Sequence, residues 1–216
     1  MKKVSILIAA ILISIASFAQ EAGRIGVEIN FDPFGAFSNP GETFSVEGLK
    51  VRYFVSDNFV IRGTIDFRSE SSKEEDYDSD NKLTSTEKES ITGFSIAPGF
   101  EYHLAKFEKG SIYAGAEISL GLGSVKESGE YPDSGTPNWD SKVPFTTFGI
   151  AAFTGVDYYI TSNLYLGAEL SFGYRSEKVK AGSYTSGGTE TTNDGFEKES
   201  TIGVNCVPTF RLGWTF

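Results

Sequence analysis

The densest run of potential metal-ligating oxygens is Asp76-Tyr77-Asp78-Ser79-Asp80-Asn81, followed after five intervening residues by Glu87. Counted from Asp76, carboxylates stand at positions one, three, five and twelve. That is the spacing at which a calcium loop offers oxygens to a hard cation. Leu83 fills the eighth position, where such loops carry an aliphatic residue. Asn81 takes the sixth, where they want glycine, and Asn is the next-best residue for positive φ. Asp76, Asp78, Asp80 and Glu87 are therefore a candidate site for weak calcium binding, with a dissociation constant on the order of 0.1–1 mM. The competing reading is a solvated acidic loop rich in Ser and Thr. No other cofactor is expected.

The remaining reactive side chains are few. The single histidine, His103, lies beside Glu101 with the parity of a buried face, and reads as a member of a charge network rather than a general base. The single cysteine, Cys206, excludes an intrachain disulfide and reads as a buried thiol. Tyr131, Trp139 and Tyr184 lie in polar segments, where they could meet an extracellular partner or pack on a rim. No constellation points to an enzyme.

The elements that carry these residues follow an export signal. Met1-Lys2-Lys3 precedes an apolar run, Val4 to Phe18, and Ser17-Phe18-Ala19 places small residues for a signal peptidase. Residues 1–19 read as a signal peptide and 20–216 as one mature domain, 197 of the 216 residues. The run is too short for a spanning helix, which needs about 20 residues. Losing Lys2 and Lys3 moves the net charge from -10 to -12, a poor balance for nucleic acid.

From Ala22 onward the chain alternates with a period of two, the signature of strands with one apolar face. The clearest is the last, with Ile202, Val204, Cys206, Pro208, Phe210, Leu212, Trp214 and Phe216 on one side. Seven more are read at about 22–32, 43–55, 59–68, 90–104, 111–125, 143–160 and 164–176. In the second, the apolar parity changes at Gly48, which predicts a bulge. Short turns at 56–58, 105–110 and 161–163 alternate with long polar loops at 70–89, 126–142 and 177–198. The hexapeptide GAEISL at 115–120 recurs as GAELSF at 167–172. This is the pattern of an all-β, eight-stranded antiparallel up-and-down transmembrane β-barrel with both termini on the short-turn side.

Volume decides which face points inward. Eight strands enclose room for packed side chains and little more. Roughly 40 large apolar residues would not fit there, if each strand gives about five, so they face lipid. The other face is Gly, Ala, Ser and Thr with charges of both signs: Arg52, Arg62, Arg68, Arg175 and Arg211 against Asp66, Glu101, Glu117, Asp157 and Glu169. Buried charges need partners, so these are expected to form an ion-pair network in the lumen. Aromatics would ring both membrane interfaces, Tyr53, Phe59, Tyr102, Tyr158, Trp214 and Phe216 at one and Phe31, Phe44, Phe67, Phe94, Phe148 and Tyr174 at the other.

The alternation, the repeat and the terminal Phe216 make the chain resemble the small eight-stranded outer-membrane barrels. That family includes the outer-membrane protein A transmembrane domain, outer-membrane protein X and the opacity-type surface proteins, and the likeness is to its Bacteroidetes branch. The resemblance covers nearly all of 22–216. It implies outer-membrane lipid as surroundings, Phe216 as the signal read by the outer-membrane assembly machinery, and a plugged barrel. It also implies periplasmic termini, long extracellular loops and no appended peptidoglycan-binding domain. The expected role is non-enzymatic, structural or in surface interaction. A narrow channel or small-solute transporter is the alternative, followed by a soluble lipocalin-like ligand binder.

Overall fold

The computed structural model describes residues 22–32, 45–132, 135–193 and 198–216. Ten strands are described: β1 (Ile25–Asp32), β2 (Ser45–Phe54), β3 (Phe59–Tyr77), β4 (Leu83–Phe107), β5 (Gly110–Glu130), β6 (Trp139–Tyr159), β7 (Leu164–Val179), β8 (Gly182–Ser186), β9 (Thr189–Asn193) and β10 (Lys198–Thr215). Eight of them close a ring. Each of β1 to β7 pairs antiparallel with its sequence neighbour, and β10 closes the ring between β7 and β1. The expected signal peptide and the side chains of Phe44 and Cys206 lie outside the described residues.

The faces are oriented as side-chain volume requires. Ile61, Ile65, Phe67, Phe100, Leu120, Ile150, Leu170 and Phe172 are all exposed on the outside of the ring, while Arg52, Arg62, Glu101 and Arg211 are buried inside it. A water-exposed surface so rich in Ile, Leu and Phe is untenable for a soluble protein but natural against lipid. The lipocalin-like alternative is thereby overturned. The two aromatic levels are set by register, with Phe59 opposite Tyr102 near the short turns and Phe67 opposite Phe94 further out. Eight residues separate the levels along β3, about 27 Å of extended chain, and strand tilt brings this close to an apolar band of about 25 Å.

Glycine solves the packing of the interior. Around the ring, large inward residues face glycine on the next strand: Arg62 opposite Gly99, Glu101 opposite Gly115, Tyr113 opposite Gly155, Asp157 opposite Gly167 and Tyr165 opposite Gly213. A Cβ on Gly99 would meet the Ala116 carbonyl oxygen at 2.6 Å, so these positions have no room for a side chain. Alternating large and small is how so narrow a lumen fills without voids. Gly48 has a different reason. Its φ is +74°, and the β1–β2 register slips between Ile29 and Phe31, which is the expected bulge.

The long polar loops need correction. Instead of a loop over 70–89, β3 and β4 stay paired out to Tyr77 and Leu83. Likewise β5 and β6 continue to Glu130 and Trp139, and 177–198 carries the β8–β9 hairpin, with β8 hydrogen-bonded to β6. The apolar alternation ends where lipid ends, but the ladder does not. Once two strands are zipped in register, Ser, Thr and Tyr continue the pairing with water on both faces. The strand-end turns are as expected: the Ser56 Oγ accepts from Phe59 N (3.1 Å), and Thr161 Oγ1 from Leu164 N (3.0 Å).

Candidate functional site

The lumen is plugged by one connected network to which every ring strand contributes a charge. Arg52 of β2 is central. Its Nη1 donates to Glu28 of β1 (2.9 Å) and Asp157 of β6 (2.8 Å), and its Nη2 to Glu101 of β4. Arg62 of β3 donates to Glu101 (3.2 Å), to Glu117 of β5 (2.6 Å) and to Glu169 of β7 (2.7 Å). Arg211 of β10 bridges Glu28 (3.1 Å) and Asp157 (2.7 Å). Lys50 stands 3.7 Å from Glu169, while Tyr113 and Tyr165 donate to Glu169 (3.0 Å) and Glu28 (2.6 Å). Rings complete the packing, with the Arg62 guanidinium 3.3 Å from the Phe153 ring centre and Arg52 between Phe54, Tyr113 and Tyr165.

Of the charges expected in the lumen, Arg52, Arg62, Glu101, Glu117, Asp157, Glu169 and Arg211 are thus brought together. Glu117 and Glu169 come from the two copies of the GAE repeat and grip the same arginine. Asp66, Arg68 and Arg175 are not in the plug. They lie further out along their strands, around a water-accessible space of about 380 Å³ that Ser95, Ser119, Thr147 and Glu177 also line. Arg68 pairs there with Glu70 through two hydrogen bonds of 2.8 Å, and Arg175 lies 3.9 Å from Glu177. Charges in water have no need of the central network. Glu28, Lys50, Tyr113 and Tyr165 were not expected there. For Glu28, Tyr113 and Tyr165 the signal was an inward-parity glycine on the neighbouring strand; Lys50, opposite Glu28 and Thr64, had only its parity.

His103 has a constellation that resembles catalytic machinery. Its Nδ1 lies 2.8 Å from Ser111 Oγ, and its Nε2 lies 3.8 Å from Glu101 and 3.4 Å from Arg52 Nη2. A guanidinium can only donate, so Nε2 is the acceptor and the Nδ1 proton points at Ser111. That tautomer cannot take a proton from the serine. Both residues are buried under the plug.

The calcium pattern has a different use. Asp78 Oδ1 accepts from Asp80 N and Lys82 N, both at 2.9 Å, and Asn81 adopts φ +60° to turn the β3–β4 hairpin. Asp76 accepts from Ser85 Oγ (2.8 Å), and Glu87 lies opposite Glu74. The four expected ligands do not converge, and among the described residues no group of three or more His, Cys, Asp or Glu could hold a metal. Acid-rich spacing here serves a turn and a water-exposed ladder. The loop aromatics do meet one another. Trp139 stacks on Tyr184 with ring centres 6.0 Å apart, and its Nε1 is 3.4 Å from Tyr131 OH.

The seam sets the ends of the chain. Phe216 N donates to Ile25 O (2.8 Å), and Arg24 donates to the carbonyls of Thr215 (3.0 Å) and Phe216 (3.1 Å). A closed antiparallel ring, apolar outside and ion-paired inside, defines a transmembrane β-barrel of outer-membrane type. The family model of the outer membrane protein beta-barrel domain matches residues 5–210, and the chain belongs to that family. No curated protein matches it. Among solved structures it is similar to Ail, the attachment invasion locus protein of Yersinia pestis (13% identity, 90% of this chain and 99% of that one, TM-score 0.39). It is also similar to the N-terminal β-barrel domain of Pseudomonas aeruginosa OprF (16%, 91% and 100%, 0.36) and to Acinetobacter baumannii CarO (10%, 93% and 99%, 0.37).

Proposed function

We propose that this chain is a non-enzymatic outer-membrane barrel whose work is done by the sheet standing outside the membrane, in a structural or surface-interaction role. The observation that carries the reading is the plug. Arg52, Arg62 and Arg211 each pair through their Nη atoms with carboxylates from several strands, across a lumen they fill, which favours a sealed wall over a channel. The long strands β3 to β6 would then face the exterior, the termini the periplasm, and Phe216 the assembly machinery, after removal of residues 1–19.

Three measurements test it. Unboiled protein in detergent should migrate differently from boiled protein, as a folded barrel does. Trypsin added to intact cells should cut in the β3–β4 hairpin and leave the short turns untouched. In planar bilayers the purified chain should give no conductance above background; stepwise openings would move the assignment to the channel alternative.

A further inference from the structure

Where β3 to β6 form the sheet outside the membrane, like charges lie directly opposite one another at four places. On the side continuous with the lumen, Glu74 lies directly opposite Glu87, and Glu89 opposite Glu127. On the side continuous with the lipid-facing belt, Lys73 lies opposite Lys88, and Lys126 opposite Lys142. Like charges directly opposite one another destabilise a sheet. The register is carried outward from the apolar belt, so these pairs must find their counter-charges elsewhere: Lys73 and Lys88 find them in neighbouring glutamates, and for Lys126 and Lys142 a bound anion would supply them.

The lysine face has a defined height. Above the aromatic level of Phe67, Phe94 and Leu122, the next cross-strand row is Ser69, Thr92, Ser124 and Pro144, and the row beyond is Ser71, Ser90, Lys126, Lys142 and Ser183. The second row is four residues out from the aromatics, about 13 Å along the strand. With tilt this is about 9–11 Å beyond the aromatics, just above a headgroup layer about 5–7 Å thick and within reach of it for a lysine side chain. A recess of about 470 Å³ is lined there by Ser71, Ser90, Lys88, Lys126, Lys142 and Ser183, with Glu127, Ser128, Asp140 and Ser141 also at its border; Glu127 belongs by strand parity to the opposite face. Lys178 and Lys180 lie on the same face, closer to the lipid. Acids on this face stand further out. Glu75 engages Lys73, and Glu130 engages Lys88 at 2.9 Å. Asp140 borders the recess, yet among the described residues no carboxylate forms an ion pair with Lys126 or Lys142.

We propose that this serine- and lysine-lined recess binds the phosphorylated headgroup of a lipid in the surrounding leaflet. The lysines supply the charge, the serine hydroxyls supply hydrogen bonds, and the apolar belt below receives the acyl chains. The proposal rests on the outer-membrane reading above.

The test is native mass spectrometry of the full chain in maltoside detergent, titrated with dioleoylphosphatidic acid. Dioleoylglycerol, which lacks the phosphate, is the control. The acid should bind and the neutral lipid should not. Lys126→Gln/Lys142→Gln should weaken binding roughly tenfold or more. Lys126→Arg/Lys142→Arg should keep it, and Lys109→Gln at a short turn should leave it unchanged. Equal binding of both lipids, or unaltered binding by the Gln pair, overturns the site. Displacement by inorganic phosphate at the same concentration as the lipid overturns the lipid in favour of a soluble anion. Each variant is first checked for the heat-dependent gel shift, so failure of the barrel reading shows there and not in the titration.

Discussion

At the scale of single residues, Arg52 holds the most dependent position. It is fully buried and shared by Glu28, Asp157 and Glu101. A buried ion network is weak evidence for stability in itself, because desolvation offsets the attraction. Removing one partner is another matter, since it leaves buried carboxylates without a counter-charge. Arg52→Ala should therefore lower unfolding stability by about 3–5 kcal/mol, read from urea titration of the heat-dependent gel shift. The hairpin carries a separate, pH-sensitive set. Hydrogen bonds from Arg68 to Glu70, and from Lys73 and then Tyr77 to Glu75, hold both carboxyls below their ordinary value of 4.5. A depressed carboxyl contributes fully above its unfolded value and loses that contribution as pH falls through its folded one. Carboxyl NMR titration should give midpoints below 4.5 for Glu70 and Glu75, with these contacts intact at neutral pH and released below that range.

At the scale of elements, what the sequence makes legible ends at the edge of the lipid. The period of Phe, Ile and Leu located all eight ring strands and their inner and outer faces, because lipid imposes that period. It said nothing of β3 beyond Arg68 or of β4 before Ser90, where both faces are wet and Ser, Thr, Lys and Glu pair equally well either way. The calcium-like spacing has a second reading for a related reason: Asp78 and Asn81 are turn formers, and turn chemistry resembles ligand chemistry in a bare sequence. The parity change at Gly48 was readable because a bulge flips the apolar face. Gly48→Ala should cost about 1–3 kcal/mol, since its φ is +74° and a Cβ would approach the Ile65 carbonyl oxygen at 2.9 Å. Gly99→Val should cost a similar amount, about 1–3 kcal/mol, by overpacking between Arg62 and Glu117. Urea midpoints check both, and Ser95→Ala, in the open outer lumen, is the neutral comparison.

At the scale of the whole molecule, the inference from side-chain volume to an inside-out barrel held, and the charged lumen followed from it. The members of that lumen were legible only in part, since charge alone does not separate Arg62 in the plug from Arg68 in the water above it. Depth along the strand does, and it depends on where the aromatic levels fall. The closing pair β1 and β10 has a consequence in time. The chain's first and last strands are hydrogen-bonded neighbours, with Phe216 tied to Ile25 and clasped by Arg24. Until β10 arrives, β1 has a bare edge, and neither Glu28 nor Asp157 has Arg211. Ring closure therefore waits for both ends of the chain: Arg52 and Arg62 can pair within β1 to β7, but Glu28 and Asp157 gain their second arginine only when β10 meets β1.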